Sequence, residues 1–507
     1  MPKRDKSLTD KVRLDDNLIV HGDNLKALKA LLPTYAGKVK CIYIDPPYNT
    51  GNEGWAYNDN VNSPMMQEWL GKTVDREDLT RHDKWLCMVT PRLKLLRELL
   101  HEEGIILVSI DDNEAHNFRV LMDEIFGEDN FIAQLVWEKG RKNDAKLFSV
   151  GHEYIVVYAR SRETMREKSV VWREEKPGAR EIQEEYLRLR KLHGADNLKV
   201  QNAIRAYYKN LLKGHPAKKH SRYGNVDDRG IWRDDNLSWP GGGGPTYDVI
   251  HPKTKKPCAL PEGGWRYASP EKMQEMIKAG VVVFREDETE PPIRKTYLIR
   301  SNSPLNDDSV ADEDDEDIGI QVAGSYFYRS ALQASNLLVQ LFGKKIFENP
   351  KDHEILKRLI RYVTQNENDA VVLDSFAGSG TTAHAVLALN KEDGGKRKFI
   401  LVECEDYADS ITAERVRRVI KGVKGANDEN LKKGLGGTFS YFELGKPIEL
   451  ESILDGKNLP DYHELARYVF YTATGEEFDE RKVNEKRQFV GESKTHEVYL
   501  FYQPDID

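Results

Sequence analysis

Cysteine is scarce in this chain, with only Cys41, Cys87, Cys258 and Cys404 among 507 residues. No two form a CxxC pair, so neither a disulfide framework nor a zinc knuckle is suggested, and no other metal-ligand set is visible. A reducing, cytoplasmic setting is therefore expected. Long apolar runs are missing as well. No stretch approaches the roughly 18 residues needed to cross a bilayer, and the charged opening Met1-Pro2-Lys3-Arg4-Asp5-Lys6 lacks the apolar segment of a signal peptide. There is no excess of positive charge either. The formal net charge is -8, which does not advertise a nucleic-acid partner. A local basic face is still compatible with that sum. Internal repeats are absent. What remains is a soluble globular balance, long enough for two to four domains.

What is present is strand–helix alternation at two places in the chain. Asn17-Leu18-Ile19-Val20 reads as a strand, Leu25 to Leu32 as a helix, and Cys41-Ile42-Tyr43-Ile44 as a second, buried strand. Trp85 to Leu100 has helical spacing, Gly104 breaks it, and Ile105 to Ile110 reads as another strand. A helix from Phe118 to Phe126 and strands near Phe131–Trp137 and Tyr154–Tyr158 follow. From about 161 to 325 the character becomes polar, aromatic-dotted and irregular, with a run of four glycines at 241–244 and an acidic stretch from Asp307 to Asp317 that reads as an exposed tether. Alternation then resumes with a strand at 371–373, an Ala-rich helix to Asn390, a strand at 399–402 and a basic helix from Ala413 to Lys421. Such alternation is the pattern of an α/β fold with a parallel sheet.

The first chemical motif is Asp45-Pro46-Pro47-Tyr48. It stands at the end of an apolar strand, where open α/β sheets bind ligands. The two prolines have no N–H, so the loop is stiff and its carbonyls are not drawn into a helix. A carboxylate, a carbonyl and an aromatic face together suit a planar ring that carries an amino group. The plain alternative is a strand-end proline turn with a satisfied Asp.

The second motif is Asp374-Ser375-Phe376-Ala377-Gly378-Ser379-Gly380-Thr381-Thr382, again between a strand and a helix. Its small residues let backbone approach a ligand closely near a helix N-terminus. The Lys of a phosphate-binding P-loop is missing. Ala383 stands where a dinucleotide fingerprint would have its third Gly. Glu403, at the end of the next strand, suits ribose hydroxyls, so a nucleoside without pyrophosphate fits best. The alternative is a structural turn in an α/β domain.

Taken together, the two motifs resemble those of the amino-methyltransferases of DNA. Their order, catalytic motif first, is similar to that of the β class, and Asp before Pro-Pro-Tyr is usual for its adenine-N6 enzymes. Val20-His21-Gly22-Asp23-Asn24 resembles the family segment at the cofactor's adenine. Phe347-Glu348-Asn349-Pro350-Lys351 resembles the motif that closes over the methionine end. Asn49-Thr50-Gly51, Ser109-Ile110-Asp111-Asp112-Asn113-Glu114, His152-Glu153-Tyr154-Ile155 and Gly264-Trp265-Arg266 are similar to the modification subunits of type III restriction systems.

This resemblance implies a Rossmann-like, circularly permuted S-adenosylmethionine-dependent methyltransferase sheet. Residues 1–160 would be its catalytic half and 326–425 its cofactor half. Residues 161–325 would form an inserted target-recognition domain, and 426–507 a small α+β region for dimerisation or partner docking. Asp45, Pro46, Pro47 and Tyr48 would be catalytic. Asp23, Asn24, Asn349, Pro350, Lys351, Asp374, Phe376, Gly378, Gly380, Thr381, Thr382 and Glu403 would hold S-adenosylmethionine. The substrate would be double-stranded DNA with one adenine flipped out, since a base cannot be reached inside the duplex. A homodimer is expected. No helicase or nuclease motif is present, so cleavage would need a separate restriction subunit.

DNA contacts are expected from the inserted region. Lys199, Arg205, Lys209, Lys213, Lys218, Lys219 and Arg222, with Tyr207 and Tyr208 among them, suit a phosphate-tracking surface or an ordinary solvated helix. Arg229, Trp232, Arg233, Trp239, Trp265 and Arg266 combine donors with rings that can read or wedge bases, the alternative for the Trp residues being the core. His152 and Tyr154 read as structural residues of a core strand.

Overall fold

A computed structural model describes residues 15–50, 80–140, 146–300, 319–445, 461–474, 478–493 and 496–502. The opening segment 1–6, Gly51 and the acidic stretch 307–317 lie outside these residues. Two compact units are present, one made of residues 1–172 with 324–507 and the other of 173–323.

The main sheet of the first unit has nine strands: β1 (Leu18–His21), β2 (Val39–Ile44), β3 (Leu100–Ile110), β4 (Phe131–Glu138), β5 (His152–Ala159), β6 (Tyr326–Tyr328), β7 (Val371–Asp374), β8 (Lys398–Glu403) and β9 (Ser440–Glu443). They lie in the order β6-β4-β5-β3-β2-β7-β8-β1-β9. Every pairing is parallel except those of β5, which runs antiparallel to both β3 and β4. All six residues of β2 are buried, as a central parallel strand covered on both faces requires. Helices Asn24–Tyr35, Arg81–Leu99, Ala115–Phe126, His353–Thr364 and Thr381–Asp393 connect and cover the sheet. The core joins Ile42, Leu373 and Ile400 from the strands to Trp85, Leu96 and Phe118 from the helices.

Connectivity reverses in the middle of this sheet. From β2 the chain moves outward to β3, and from the adjacent β7 it moves the other way to β8. The β2/β7 boundary is thus the topological switch point, where open α/β sheets form a crevice beyond the strand ends. Asp45 directly follows β2, and Asp374 ends β7.

Several local expectations change. The helix that enters β3 ends at Leu99, and Gly104 lies inside the strand rather than breaking the helix. Leu100 already pairs with Val39. A Cβ at Gly104 would fall 2.8 Å from the His101 carbonyl and 2.9 Å from that of Val39, so glycine is what lets the two strands approach here. The C-terminal part is not a separate body from 426 onward. Ser440–Glu443 extends the main sheet as its edge strand, paired to β1.

The second unit is less irregular than its composition suggests. Helices Ala179–His193 and Asn197–Asn210 pack Ile182, Tyr186, Val200 and Ile204 against Ile231 and Leu298 of an antiparallel four-stranded sheet. A second core gathers Leu237, Trp265, Tyr267, Met273 and Met276. Polar composition hid the Ala179–His193 helix because it buries only a narrow apolar stripe. Among the described residues no helix is long and apolar enough to cross a membrane.

Because Leu373 is fully buried at the centre of the sheet, Leu373→Ala is expected to lower the unfolding free energy by about 2–5 kcal/mol. Denaturant titration of the variant against the parent chain measures this.

Candidate active site

The tetrapeptide leaves β2 at the switch point and is fixed from two sides. The Trp85 indole N–H donates to the Pro47 carbonyl at 2.6 Å. Nothing among the described residues donates to the Pro46 carbonyl. Beyond Tyr48 the chain turns through Asn49, whose φ of 61° is left-handed. The Asn49 side-chain amide donates to the buried Glu114 carboxylate at 2.5 Å and to the Arg81 carbonyl. Glu114 is held in turn by His82 and Asn117. The Asp111–Glu114 segment therefore does structural work for the loop that carries the tetrapeptide.

Asp45 meets a residue expected elsewhere. Lys351 Nζ lies 2.9 Å from Asp45 Oδ1 and 3.1 Å from Glu153 Oε2, and donates to the Tyr48 hydroxyl at 2.7 Å. The Tyr48 hydroxyl donates to Glu153 at 3.1 Å, and Lys139 Nζ stands 2.5 Å from the same carboxylate. The Lys351 ammonium thus faces the Asp45 carboxylate, whereas the family resemblance placed it at the methionine end of a cofactor. Burial opposes its charge, but Asp45 and Glu153 outweigh burial and hold it protonated. Burial pushes the Glu153 carboxyl up, yet Lys351 and Lys139 prevail and keep it below its ordinary range. Burial, reinforced by Asp45 and Glu153, pushes the Tyr48 hydroxyl well up, so it stays neutral. Two carboxylates and two ammoniums balance.

Glu153 reaches this place because β5 alone runs backward. The start of β5 lies at the same edge as the ends of its neighbours, with Glu153 opposite Trp137 and Tyr154 opposite Ile110. Sequence reasoning missed Glu153, Lys139 and Trp85. Two signals pointed to Glu153, its place in the family-like segment His152-Glu153-Tyr154-Ile155 and its position abutting an apolar strand, but neither gave it a role. His152 and Tyr154 hydrogen-bond to each other on that strand, and Tyr154 donates to Asp112.

The glycine loop closes the other half. Asp374 accepts the Phe376 N–H at 3.0 Å and the Thr382 hydroxyl at 2.5 Å. Gly378 and Gly380 take φ values of 51° and 78°, and a Cβ at Gly380 would sit 3.0 Å from the Thr412 carbonyl. Glu403 accepts the Gly378 N–H at 2.7 Å and those of Cys404 and Glu405. The fully buried Arg415 donates to Ser379 Oγ and Thr381 Oγ1 and braces the loop from behind. Thr381 also reaches the Lys351 carbonyl. Asp23 caps the Asn24–Tyr35 helix, while Asn24 donates to the Ser375 carbonyl and accepts from Arg92. Pro350 is buried, and Asn349 is exposed with a left-handed φ of 49°. Burial pushes the Asp374 carboxyl up to about 7 against its two hydrogen bonds, with Asp45 and Glu403 adding to the rise. Burial raises Glu403 as well, against its backbone donors. Among the described residues, no cation is set against either carboxylate.

In the second unit, Lys218, Arg222 and Arg233 line a depression of about 690 Å³ together with Arg205, Lys209 and Tyr208. Lys219 and Arg229 are exposed. Trp232 is half-buried beneath Lys295, whose Nζ lies 4.9 Å from the ring, and Trp239 and Arg266 are also half-buried. Trp265 is not a surface ring. It is 1% exposed, and its N–H donates to the Tyr247 carbonyl, so it serves the core.

A family profile described as DNA methylase matches residues 39–414, which includes both motifs and the segment between them. The chain belongs to this DNA methylase family. It is 32% identical to the EcoP15I Mod subunit of Escherichia coli, a type III restriction-modification enzyme, over 77% of this chain and 58% of that one. It is also 32% identical to the StyLTI Mod subunit of Salmonella typhimurium, over 85% of this chain and 61% of that one. Identity to the type II methyltransferase M.KpnI of Klebsiella pneumoniae is 30%, over 75% of this chain and 79% of that one. The chain therefore spans about three fifths of the length of the two Mod subunits.

The raised Asp374 carboxyl has a consequence for stability. Between its ordinary value near 4 and about 7 in the fold, the folded state keeps a proton that the unfolded state has lost. Stability of the ligand-free protein therefore falls as pH rises through that window. Asp374→Asn is expected to flatten this slope, as read from melting temperatures between about pH 4.5 and 7.5.

Proposed function

We propose that this chain moves a methyl group from S-adenosylmethionine to N6 of an adenine flipped out of duplex DNA, as the modification subunit of a restriction system. The observation that carries the reading is the pair of acceptors at the switch point. The Asp45 carboxylate and the open Pro46 carbonyl stand beside a glycine loop whose carboxylates lack a cation.

The residues present fit that cofactor. It is cationic at sulfur and at its amino group, and the raised Asp374 and Glu403 carboxyls mark a pocket that positive charge would relieve. Ser375 Oγ is buried and without a hydrogen-bond partner. Gly378 and Gly380 leave backbone open to close approach. Asp374, Phe376, Gly378, Gly380, Thr381 and Thr382 would hold the methionine end with Asn349 and Pro350. Glu403 would hold the ribose, and Asp23 and Asn24 the adenine edge. Lys351 is left out of this set because its ammonium faces Asp45. When bound, the cofactor supplies an electrophilic methyl group.

The protein's part is positioning and electrostatics. The exocyclic nitrogen is a poor nucleophile because its lone pair is delocalised into the ring. Asp45 and the Pro46 carbonyl accept its two N–H bonds, turn the lone pair out of conjugation and stabilise the positive charge that grows on nitrogen. Tyr48 stacks on the base. No covalent intermediate on the protein is required. The depression in the second unit supports phosphate contact through Arg205, Lys209, Lys218, Arg222 and Arg233, with Lys219 and Arg229 as exposed donors. Trp232, Trp239 and Arg266 remain candidates for base contact. A separate restriction subunit that cleaves DNA completes the reading, supported by the likeness to Mod subunits of type III restriction-modification enzymes, and homodimerisation is part of the same proposal.

Asp45→Ala is expected to slow methyl transfer by roughly a thousandfold, with binding of S-adenosylmethionine and duplex DNA retained. Transfer at the parent rate would end this mechanism. Nucleoside analysis of the methylated DNA identifies the product. N6-methyladenine supports the proposal, and N4-methylcytosine would move it to the cytosine enzymes.

Replacing Arg222 and Lys219 together by Ala is expected to weaken DNA binding and reduce the salt slope of log K by about 2. Binding isotherms across a salt series check this, and an unchanged slope would remove these two residues from the interface.

A further inference from the structure

Lys351 stands against the carboxylate that the target amino group must reach. The reading of Asp45 as acceptor for that group, on which the following rests, requires its carboxylate lone pairs to be available. In the protein alone, Lys351 Nζ stands 2.9 Å from Oδ1, at an angle outside hydrogen-bond geometry. An ammonium kept there during transfer would oppose the reaction, because the nitrogen accepting the methyl becomes a second cation on the same carboxylate.

Lys351 has somewhere to go. Its Nζ already lies 3.1 Å from Glu153 Oε2, and the other oxygen, Glu153 Oε1, is buried without a hydrogen-bond partner. Both side chains are at least nine-tenths buried, so solvent does not compete for either. An ammonium has three hydrogens to distribute, and a small swing moves it from Asp45 onto the vacant oxygen while it keeps its contact with Tyr48. Lys139, 2.5 Å from Glu153, is the counterion that keeps this receiver ionised.

We propose that Lys351 is a placeholder on the catalytic carboxylate: it holds Asp45 and Tyr48 in position in the free enzyme and passes to Glu153 when an amino-bearing base arrives. Lys351 and Glu153 are thus positioning residues. The exchange also discriminates among bases. An amino group brings one N–H donor for Asp45, in place of the ammonium's charge there, and a second for the Pro46 carbonyl. A base that turns a carbonyl oxygen to the same place offers no donor, is repelled by the carboxylate, and leaves Lys351 where it is.

Single-turnover methyl transfer by the full chain, with saturating S-adenosylmethionine and duplex DNA, tests the exchange. Glu153→Gln removes the charge of the receiver and strands the ammonium on Asp45. Its transfer rate is expected to fall about a hundredfold, with cofactor affinity kept within about threefold. Adding Lys351→Met to Glu153→Gln removes the stranded cation, and the double variant is expected to regain about tenfold or more over Glu153→Gln alone. A purely structural role would make the double variant worse. A double variant no faster than Glu153→Gln overturns the proposal.

Should Glu153→Gln fail to fold, as judged by melting and cofactor binding, Lys351→Met alone decides. About a tenfold loss is expected. A loss as deep as that of Asp45→Ala overturns the proposal, because the ammonium would then be needed in the transition state. Asp45→Ala and the parent chain run in the same assay keep the two failures apart. An inactive parent, or an Asp45→Ala variant at the parent rate, sinks the assignment of Asp45 itself.

Discussion

A half-buried carboxylate at the end of β2, with other acids close by, needs counter-charge, and the site is organised around that constraint. Asp45 stands beside Asp374, Glu403 and Glu153, and four acids at one sheet edge would repel one another strongly. Lys351 and Lys139 neutralise the part of the set nearest the tetrapeptide. The glycine-loop carboxylates are handled differently. Backbone N–H groups and the Thr382 hydroxyl bond to them without supplying a full positive charge. The tetrapeptide side of the site thus carries its own counterions, and among the described residues the glycine-loop carboxylates have none.

This division follows from the sheet. Parallel strands bring their carboxyl ends to one edge, which is why Asp45, Asp374 and Glu403 converge although more than three hundred residues separate the first from the other two. The single reversed strand, β5, then delivers Glu153 from its amino end to that edge. Lys351 arrives just ahead of the His353–Thr364 helix, with its carbonyl against Thr381 of the glycine loop and its ammonium against Asp45 and Glu153. One residue therefore touches both halves of the site. A buried ion pair of this kind adds little net stability, since desolvation offsets most of its attraction. Its value here lies in geometry.

Much of the fold was legible along the chain. Apolar runs such as Cys41–Ile44 and Phe399–Val402 could only be buried strands, and the residues after them were the places to look for chemistry. Asp45, Asp374 and Glu403 were found this way. The helix–strand boundary at Leu99 was misjudged because glycine signals both a break and a close approach, and only the register with Val39 decides which. In the second unit the helix Asn197–Asn210 was offered only as an alternative reading of the basic stretch, and Ala179–His193 was missed because a narrow apolar stripe vanishes in a polar composition. Trp265 shows the same limit from the other side. A tryptophan flanked by Gly264 and Arg266 looks like a DNA contact until packing against Tyr247 and a bond to its carbonyl place it in the core.

The sequence by itself determined the elements and the two strand-end motifs, because hydrophobic period and proline or glycine chemistry act over a few residues. The partners of the Asp45 carboxylate were decided by tertiary structure alone. Glu153 belongs to the site because one strand runs against the others, and Lys351 because the backbone ahead of a helix turns its side chain toward β2 rather than toward the loop beside it. Charge pairing across hundreds of residues leaves no local pattern, since it depends on which ends of which strands meet.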